Sequence, residues 1–384
     1  MQAAGYVEPR FARVREAFEA NFARGEVGAA CCVYYRGAPV VDLYGGIADR
    51  ASGAPWREDT TALVFSTTKG VTAICVHLLL ERGVLELDAP IARWWPEFAA
   101  RGKESITLRH ALTHQAGLAL VDGDHLTLAD VVAWDPVVDA IARQAPIWEP
   151  GTAHGYHARA YGWILGEVVR RATGRSLGRF FADEIAAPLG LDFWIGLPES
   201  EEPRVAAIVP AEPPADPRVR ELMEQFTGPD TLLGRVMSGP ANLFAYDERW
   251  NRRELHEAEM PSSNGIGTAR AIARLYAATI GAVDGTRLLG PATLAAACTE
   301  QVSGSDKVLL LPTTFGLGFM LPPTLCLAAA SGAFGHPGAG GSLGIADPKA
   351  GFALGYVMNQ MVLVDATDAR ARSLVEAVYA CLSE

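Results

Sequence analysis

Residues 65–80 read Phe65-Ser66-Thr67-Thr68-Lys69-Gly70-Val71-Thr72-Ala73-Ile74-Cys75-Val76-His77-Leu78-Leu79-Leu80. Val71, Ile74, Cys75, Leu78 and Leu79 recur at helical spacing and mark a buried face, and Gly83 supplies a stop. A helix beginning just after Ser66 puts Ser66 and Lys69 on one face, a turn apart. A serine hydroxyl is a poor nucleophile at neutral pH, and a nearby lysine activates it only where desolvation or neighbouring positive charge lowers the amine's pKa. The helix start adds backbone N–H donors and the positive end of a dipole for a developing oxyanion. Taken alone the Ser-x-x-Lys pattern is common, and a Ser/Thr helix cap with a solvated lysine accounts for it.

Working outward, Phe11, Val14, Phe18 and Phe22 recur at helical spacing, and 28–45 turns β-rich around Arg36-Gly37, predicting a helix and then a hairpin. Residues 70–300 alternate helical patterns, such as 161–172, with turn punctuation at Gly174, Pro188-Leu189-Gly190 and Pro198. Within that stretch Pro203, Pro210, Pro213, Pro214 and Pro217 are too dense for regular structure; the segment reads as a long loop forming a lid or substrate wall, or as a solvated linker. Short β-rich runs return at 315–321, 342–347 and 352–359, the last two joined by the turn Asp347-Pro348-Lys349-Ala350-Gly351. Residues 365–382 close the chain as a helix with Leu374, Val375, Val378 and Leu382 on one face. Strands at both ends with helices between them predict an α/β plus all-α architecture, in which an antiparallel sheet is built from both chain ends and flanked by helices. The expected division is a discontinuous α/β domain of 1–65 and 300–384 with an inserted, mostly helical domain of 66–299, and the active site at their junction.

With 384 residues the chain exceeds the length at which one core stops growing, which agrees with two lobes. A formal charge of −11 argues against nucleic acid, whose binders gain affinity from clustered Lys and Arg. No run of about 18 apolar residues is present, so no membrane span is expected. Residues 1–21 carry Glu8, Glu16 and Glu19 and do not read as a signal peptide, and a cytoplasmic location is the expectation. The six cysteines, Cys31, Cys32, Cys75, Cys298, Cys326 and Cys381, lack CxxC spacing and read as buried thiols rather than disulfides or zinc ligands.

Further stretches make the Ser-x-x-Lys pattern specific. They are Leu112-Thr113-His114-Gln115-Ala116-Gly117-Leu118, then Trp148-Glu149-Pro150-Gly151-Thr152, then Tyr156-His157-Ala158 ahead of the helical run 161–169, and finally Phe334-Gly335-His336-Pro337-Gly338-Ala339-Gly340-Gly341. In this order and spacing they resemble the serine β-lactamase and penicillin-binding-protein superfamily, and especially the family VIII carboxylesterases with their class C β-lactamase-like fold. The resemblance spans most of the chain and implies a β-lactamase/transpeptidase-like fold. It also implies that Tyr156, as the tyrosine of a Tyr-x-Asn motif, shares a proton relay with Ser66 and Lys69. A phenol normally titrates near 10, and lysine charge beside it favours the phenolate, which makes Tyr156 a general base and later acid. Ala158 stands where the family has an asparagine that contacts the lysine and the amide of a β-lactam, so efficient lactam hydrolysis is not expected.

The family's Lys-Thr-Gly appears as His336-Pro337-Gly338. Gly338 permits close backbone approach, and the N–H of Ala339 with that of Ser66 forms the expected oxyanion hole. His336 removes a permanent cation that would attract a substrate carboxylate, since an unperturbed imidazole is largely neutral at pH 7. His336, Gly338 and His157 are the candidate substrate-binding residues, with strand packing the alternative for His336; His154 also flanks Tyr156. Gly340-Gly341-Ser342-Leu343-Gly344 fits a nucleophile elbow, but no helix pattern and no histidine follow it, so Ser342 is read as part of a glycine-rich bend. His110 and His114 have i, i+4 spacing without the glutamate of a zinc motif, and Ser262-Ser263-Asn264 reads as a cap for the helix after it.

The resemblance thus implies covalent two-step acyl transfer on short-chain acyl esters through Ser66, Lys69 and Tyr156, with weak β-lactam hydrolysis, no metal and no cofactor. A β-lactamase or D-amino-acid peptidase on the same residues is the near alternative. A non-catalytic ligand-binding scaffold is the distant one.

Overall fold

The computed structural model describes residues 1–123, 125–362 and 368–383. Six strands form the main sheet: β1 (Ala4–Val7), β2 (Gly28–Tyr35), β3 (Ala38–Asp49), β4 (Phe334–Pro337), β5 (Leu343–Asp347) and β6 (Phe352–Met358). Their order is β1-β3-β2-β6-β5-β4, every neighbour antiparallel, with the short piece Ala54–Pro55 attached to β3. The two chain ends meet at the centre, where Ala29 pairs with Met358 and Tyr35 with Phe352.

β2 is apolar without alternation because both of its faces are covered. Ala30, Cys32 and Tyr34 join one core, Ala29, Cys31 and Val33 the other. The second core holds helix α1 (Ala12–Asn21) through Val14 and Phe18, with Phe11 just before it, together with Leu374, Val375 and Val378. α2 (Thr67–Glu81), α3 (Ala160–Thr173) and α4 (Ala269–Ile280) share the first core, and the closing helix α5 (Ala369–Ser383) belongs to the second. Residues 365–367 of the expected closing helix lie outside the described residues.

α4 packs directly on the sheet although the sequence division assigned it to the inserted domain. Glycine makes that approach possible. Gly344 and Gly355 face each other across β5 and β6, and a Cβ at 355 would sit 2.3 Å from the Ala269 carbonyl oxygen.

Both expected hairpins are present, β2–β3 and β5–β6. In the second, Asp347 accepts from the N–H groups of Lys349 and Ala350 and closes the turn. The run 315–321 is not a strand of the main sheet. Pro312–Phe315 pairs with Val302–Ser305 instead, and Gly318, at φ 84°, turns the chain back after it.

The proline-rich stretch is also more regular than its composition suggests. Pro203 lies in a 3-10 helix (Glu199–Arg204), and Pro217 opens a helix (Pro217–Thr227) at the position where a missing N–H costs nothing. Between them the chain is no solvated linker: Ala206 N–H donates to Thr61, Ala207 N–H to Ala48 and Val209 N–H to Asn359. Among the described residues no helix is long and apolar enough to cross a membrane, and none of the six cysteines forms a disulfide.

Candidate active site

α2 starts from a tight turn. A two-residue strand, Ala62–Leu63, pairs with Ile266–Gly267, and Phe65 then takes a left-handed backbone at φ 43°. Such a conformation is costly for a phenylalanine and persists because the surroundings hold it. The Phe65 ring lies edge-on to Trp250 at 5.0 Å and to Tyr246 at 5.4 Å, while Thr68 Oγ1 donates to the Phe65 carbonyl. The turn presents Ser66 at the N-cap of α2, nearly buried.

Lys69 Nζ lies 3.2 Å from Ser66 Oγ and donates to the carbonyls of Ala158 (2.7 Å) and Ser262 (2.9 Å). It is fully buried, over the ring of Tyr156 at 4.8 Å. Burial first, and the charge of Arg159 second, hold its pKa well below that of a free lysine. A neutral amine has two N–H bonds and one lone pair. Two carbonyls take the N–H bonds, so the lone pair is left for the Ser66 hydroxyl.

Tyr156 is placed by its own N–H, which donates to Asp306 at 3.1 Å, and its hydroxyl is hydrogen-bonded to Ser66. Tyr156 is not the phenolate that a neighbouring lysine charge predicts. Burial pushes the Tyr156 phenol up, beyond what the Ser66 hydrogen bond and Arg159 offset. Tyr156 therefore rests as a neutral phenol, hydrogen-bonded to Ser66 and with Lys69 Nζ over its ring.

Residues 12–378 match the beta-lactamase family. The chain belongs to it. Among relatives of this beta-lactamase-family protein, the esterase/beta-lactamase LipL of Mycobacterium tuberculosis is 36% identical over 377 residues, covering 93% of this chain and 83% of LipL. A crystal structure of a family VIII carboxylesterase superposes with a TM-score of 0.87 at 39% identity, covering 99% of this chain and 100% of the other. A penicillin-binding-protein homologue from Caulobacter crescentus does so with 0.87 at 38%, over the same shares.

In this beta-lactamase-family protein the remaining candidates divide by environment. Gly338 has no room for a side chain: a Cβ would lie 2.2 Å from both the Val64 carbonyl and Ser342 Oγ, so β4 runs directly against the turn before Ser66. Ala339 follows at the cavity wall, and the N–H groups of Ser66 and Ala339 donate to no protein acceptor among the described residues. His336 is buried with Nδ1 donating to the Pro337 carbonyl (2.7 Å); desolvation, then Lys69, bring it down to about 3, so the ring is neutral.

His157, expected to contact substrate, does not line the cavity beside Ser66. Its Nε2 accepts from Leu118 N–H at 2.9 Å and its Nδ1 donates to the Gly155 carbonyl at 2.7 Å, so both ring nitrogens serve the backbone behind the site. His154 is likewise turned away, bonded to Thr313 at 2.8 Å. His110 closes a capping box with Thr107, and His114 Nδ1 accepts from His157 N–H. Ser342 Oγ donates to Val64 at 2.8 Å and contacts Thr67, bracing the turn below Ser66, with a strand rather than a helix after it.

Ser262-Ser263-Asn264 is not a cap. Thr268 caps α4, while the Ser262 carbonyl holds Lys69 and Asn264 Nδ2 donates to Leu255. Sequence reasoning missed the Ser262 and Ala158 carbonyls because backbone acceptors carry no residue signature; a polar triplet in a loop, with no helical periodicity of its own, was the available signal. Beside Ser66 opens a cavity of about 270 Å³, walled mainly by apolar side chains including Met237, Tyr246, Leu309, Leu311, Met320 and Leu325. Ala211, from the proline-rich stretch, forms part of the same wall.

Proposed function

We propose that this protein is a serine carboxylesterase that hydrolyses short-chain acyl esters through an acyl-enzyme at Ser66. The observation that carries the reading is a desolvated amine, Lys69, bound to two carbonyls and directed at one serine hydroxyl. Ser66 Oγ attacks the ester carbonyl carbon as its proton passes to Lys69 Nζ. The tetrahedral oxyanion lies against the N–H groups of Ser66 and Ala339. When it collapses, the departing alcohol oxygen takes a proton from Tyr156 Oη, which Lys69 replenishes. Water then attacks the acyl-Ser66 carbon, its proton following the same groups in reverse, and the carboxylic acid leaves.

The apolar cavity suits an acyl or alkyl group. Neutral His336 and the methyl of Ala158 supply neither a cation for a substrate carboxylate nor an amide partner for a lactam side chain. Both features favour neutral esters over anionic lactams. The esterase/beta-lactamase and carboxylesterase relatives support the same class, and the penicillin-binding-protein homologue keeps a lactamase or D-amino-acid peptidase activity as the second reading.

The site sits where the unit 1–65 with 300–384 meets the inserted unit 66–299, a division we propose with α4 transferred to the first. Six cysteines that form no disulfide, five of them buried, support a cytoplasmic location. The substrate is a small molecule; no nucleic acid, membrane, metal or cofactor enters the proposed reaction. Turnover of p-nitrophenyl butyrate, a cephalosporin and a D-alanyl peptide is to be compared alongside fluorophosphonate labelling. The ester should be turned over fastest and the label should map to Ser66; faster turnover of either of the other substrates reassigns the activity.

A further inference from the structure

Arg159 is a buried cation for which the proposed chemistry has no direct use. Its Nε and Nη2 donate to the Met237 carbonyl at 3.0 and 2.6 Å, and Nη2 also donates to Phe244 at 3.3 Å; none of these partners is a carboxylate. The guanidinium carbon lies over three rings, Phe244 and Tyr246 at 5.3 Å and Trp250 at 5.2 Å. Among the described residues Arg159 has no carboxylate partner; a charge taken out of water in this way is expensive, and cation–π contacts with two carbonyls return only part of the cost.

What the guanidinium holds is a wall of the cavity. Met237 and Tyr246 both face the space beside Ser66, and they reach it from the long excursion that follows the proline-rich stretch. On its other side Arg159 is continuous with the site. The preceding carbonyl, of Ala158, receives Lys69, and its own carbonyl receives Ser262 Oγ at 2.9 Å.

We propose that Arg159 is a positioning residue for acyl transfer, tying the 237–246 wall to the segment that carries Tyr156 and keeping a permanent positive charge behind Lys69. The inference rests on the Ser66 esterase reading. The groups that face Lys69 are the rings of Tyr156 and Tyr161 and the imidazoles of His114, His157 and His336, with Asp306 one step behind Tyr156. Burial keeps the three imidazoles neutral and the two phenols protonated. Arg159 is left as the fixed cation that lowers Lys69, and it favours loss of the Tyr156 proton as well.

The test is the full chain carrying Arg159→Met or Arg159→Lys, assayed on p-nitrophenyl butyrate from about pH 5 to about pH 10. Removing the charge lets Lys69 keep its proton to higher pH, so in Arg159→Met the acid limb of kcat/KM should move up by roughly half a pH unit or more. The loosened wall should raise KM by about threefold or more. Arg159→Lys should restore the acid limb but not KM, because an ammonium lacks the planar fork that reaches both carbonyls. Wild-type KM and acid limb in Arg159→Met overturn the assignment. If that variant does not fold by thermal melt, Arg159→Lys decides, and a wild-type KM in it overturns the wall-tying role. Wild-type protein labelled at Ser66 with indistinguishable variants defeats the Arg159 proposal alone, whereas a label mapped elsewhere defeats the esterase reading with it.

Discussion

A lysine keeps its charge in a protein interior only when something nearby replaces the water it has lost, and around Lys69 the replacement among the described residues is two carbonyls and no carboxylate. The proton balance follows. Lys69 must be neutral to accept the Ser66 proton, its pKa is depressed, and activity should be lost as pH falls through that depressed value, read as the acid limb of kcat/KM. Lys69→Arg fixes a proton there permanently and should lower kcat on the order of a thousandfold, with thermal melts reporting whether the fold survives. Ser342→Ala should lose less than about tenfold in ester turnover, the loss coming through the braced turn rather than the chemistry, whereas Ser66→Ala should be inactive in the same assay. At this scale the contact of Ser66 with Lys69 was legible, because a three-residue spacing at a helix start leaves little freedom. The resting state of Tyr156 and the role of His157 were not. Both depend on burial and on backbone partners supplied by residues far away in sequence, and a side chain's chemistry does not reveal them.

Elements with strong periodicity are where sequence and structure agree most closely. α2 and the β5–β6 hairpin carry their own signals, an apolar helical face in one and a turn closed by Asp347 in the other. The stretch 315–321 misled because its apolar residues fill a bend around Gly318, and buried bends use the same residue types as strands. The proline count between 203 and 217 misled in another way. Proline is excluded from helix interiors but favoured at a first helical position, so density alone says little about order. The packing of α4 on the sheet rests on the bare backbone at Gly344 and Gly355. Gly355→Ala should therefore lower stability by about 1–3 kcal/mol in urea unfolding, through a clash with the α4 backbone. Gly281→Ala, where a Cβ meets nothing within 4 Å, is the control and should leave the urea midpoint unchanged.

For the whole molecule, the decisive junction is between the chain's two ends. Buried Arg370, on α5, donates to Glu26 at 3.0 Å and shares its guanidinium with Asp368 and the Gly340 carbonyl, and Tyr356 on β6 also donates to Glu26. Burial outweighs that shared guanidinium, and Glu26 is pushed up to about 7. Between the ordinary carboxylate value and about 7 the folded chain keeps a proton that the unfolded chain has released, so this contribution to stability is present at low pH and fades as pH rises through about 7. Relative to Glu26→Gln, the wild-type Tm should fall by a few degrees between about pH 5 and about pH 8. The two-ended sheet was legible from strand patterns at both termini, but the Glu26–Arg370 pair was not, since nothing in a sequence ties residues so distant. That distance bears on synthesis. Glu26 and Tyr356 are 330 residues apart, and at about 10 residues per second the ribosome spends roughly half a minute between them. Through that interval the nascent β2–β3 hairpin has one edge without its partner, so the emerging N-terminal segment waits for the last strand before the sheet can close.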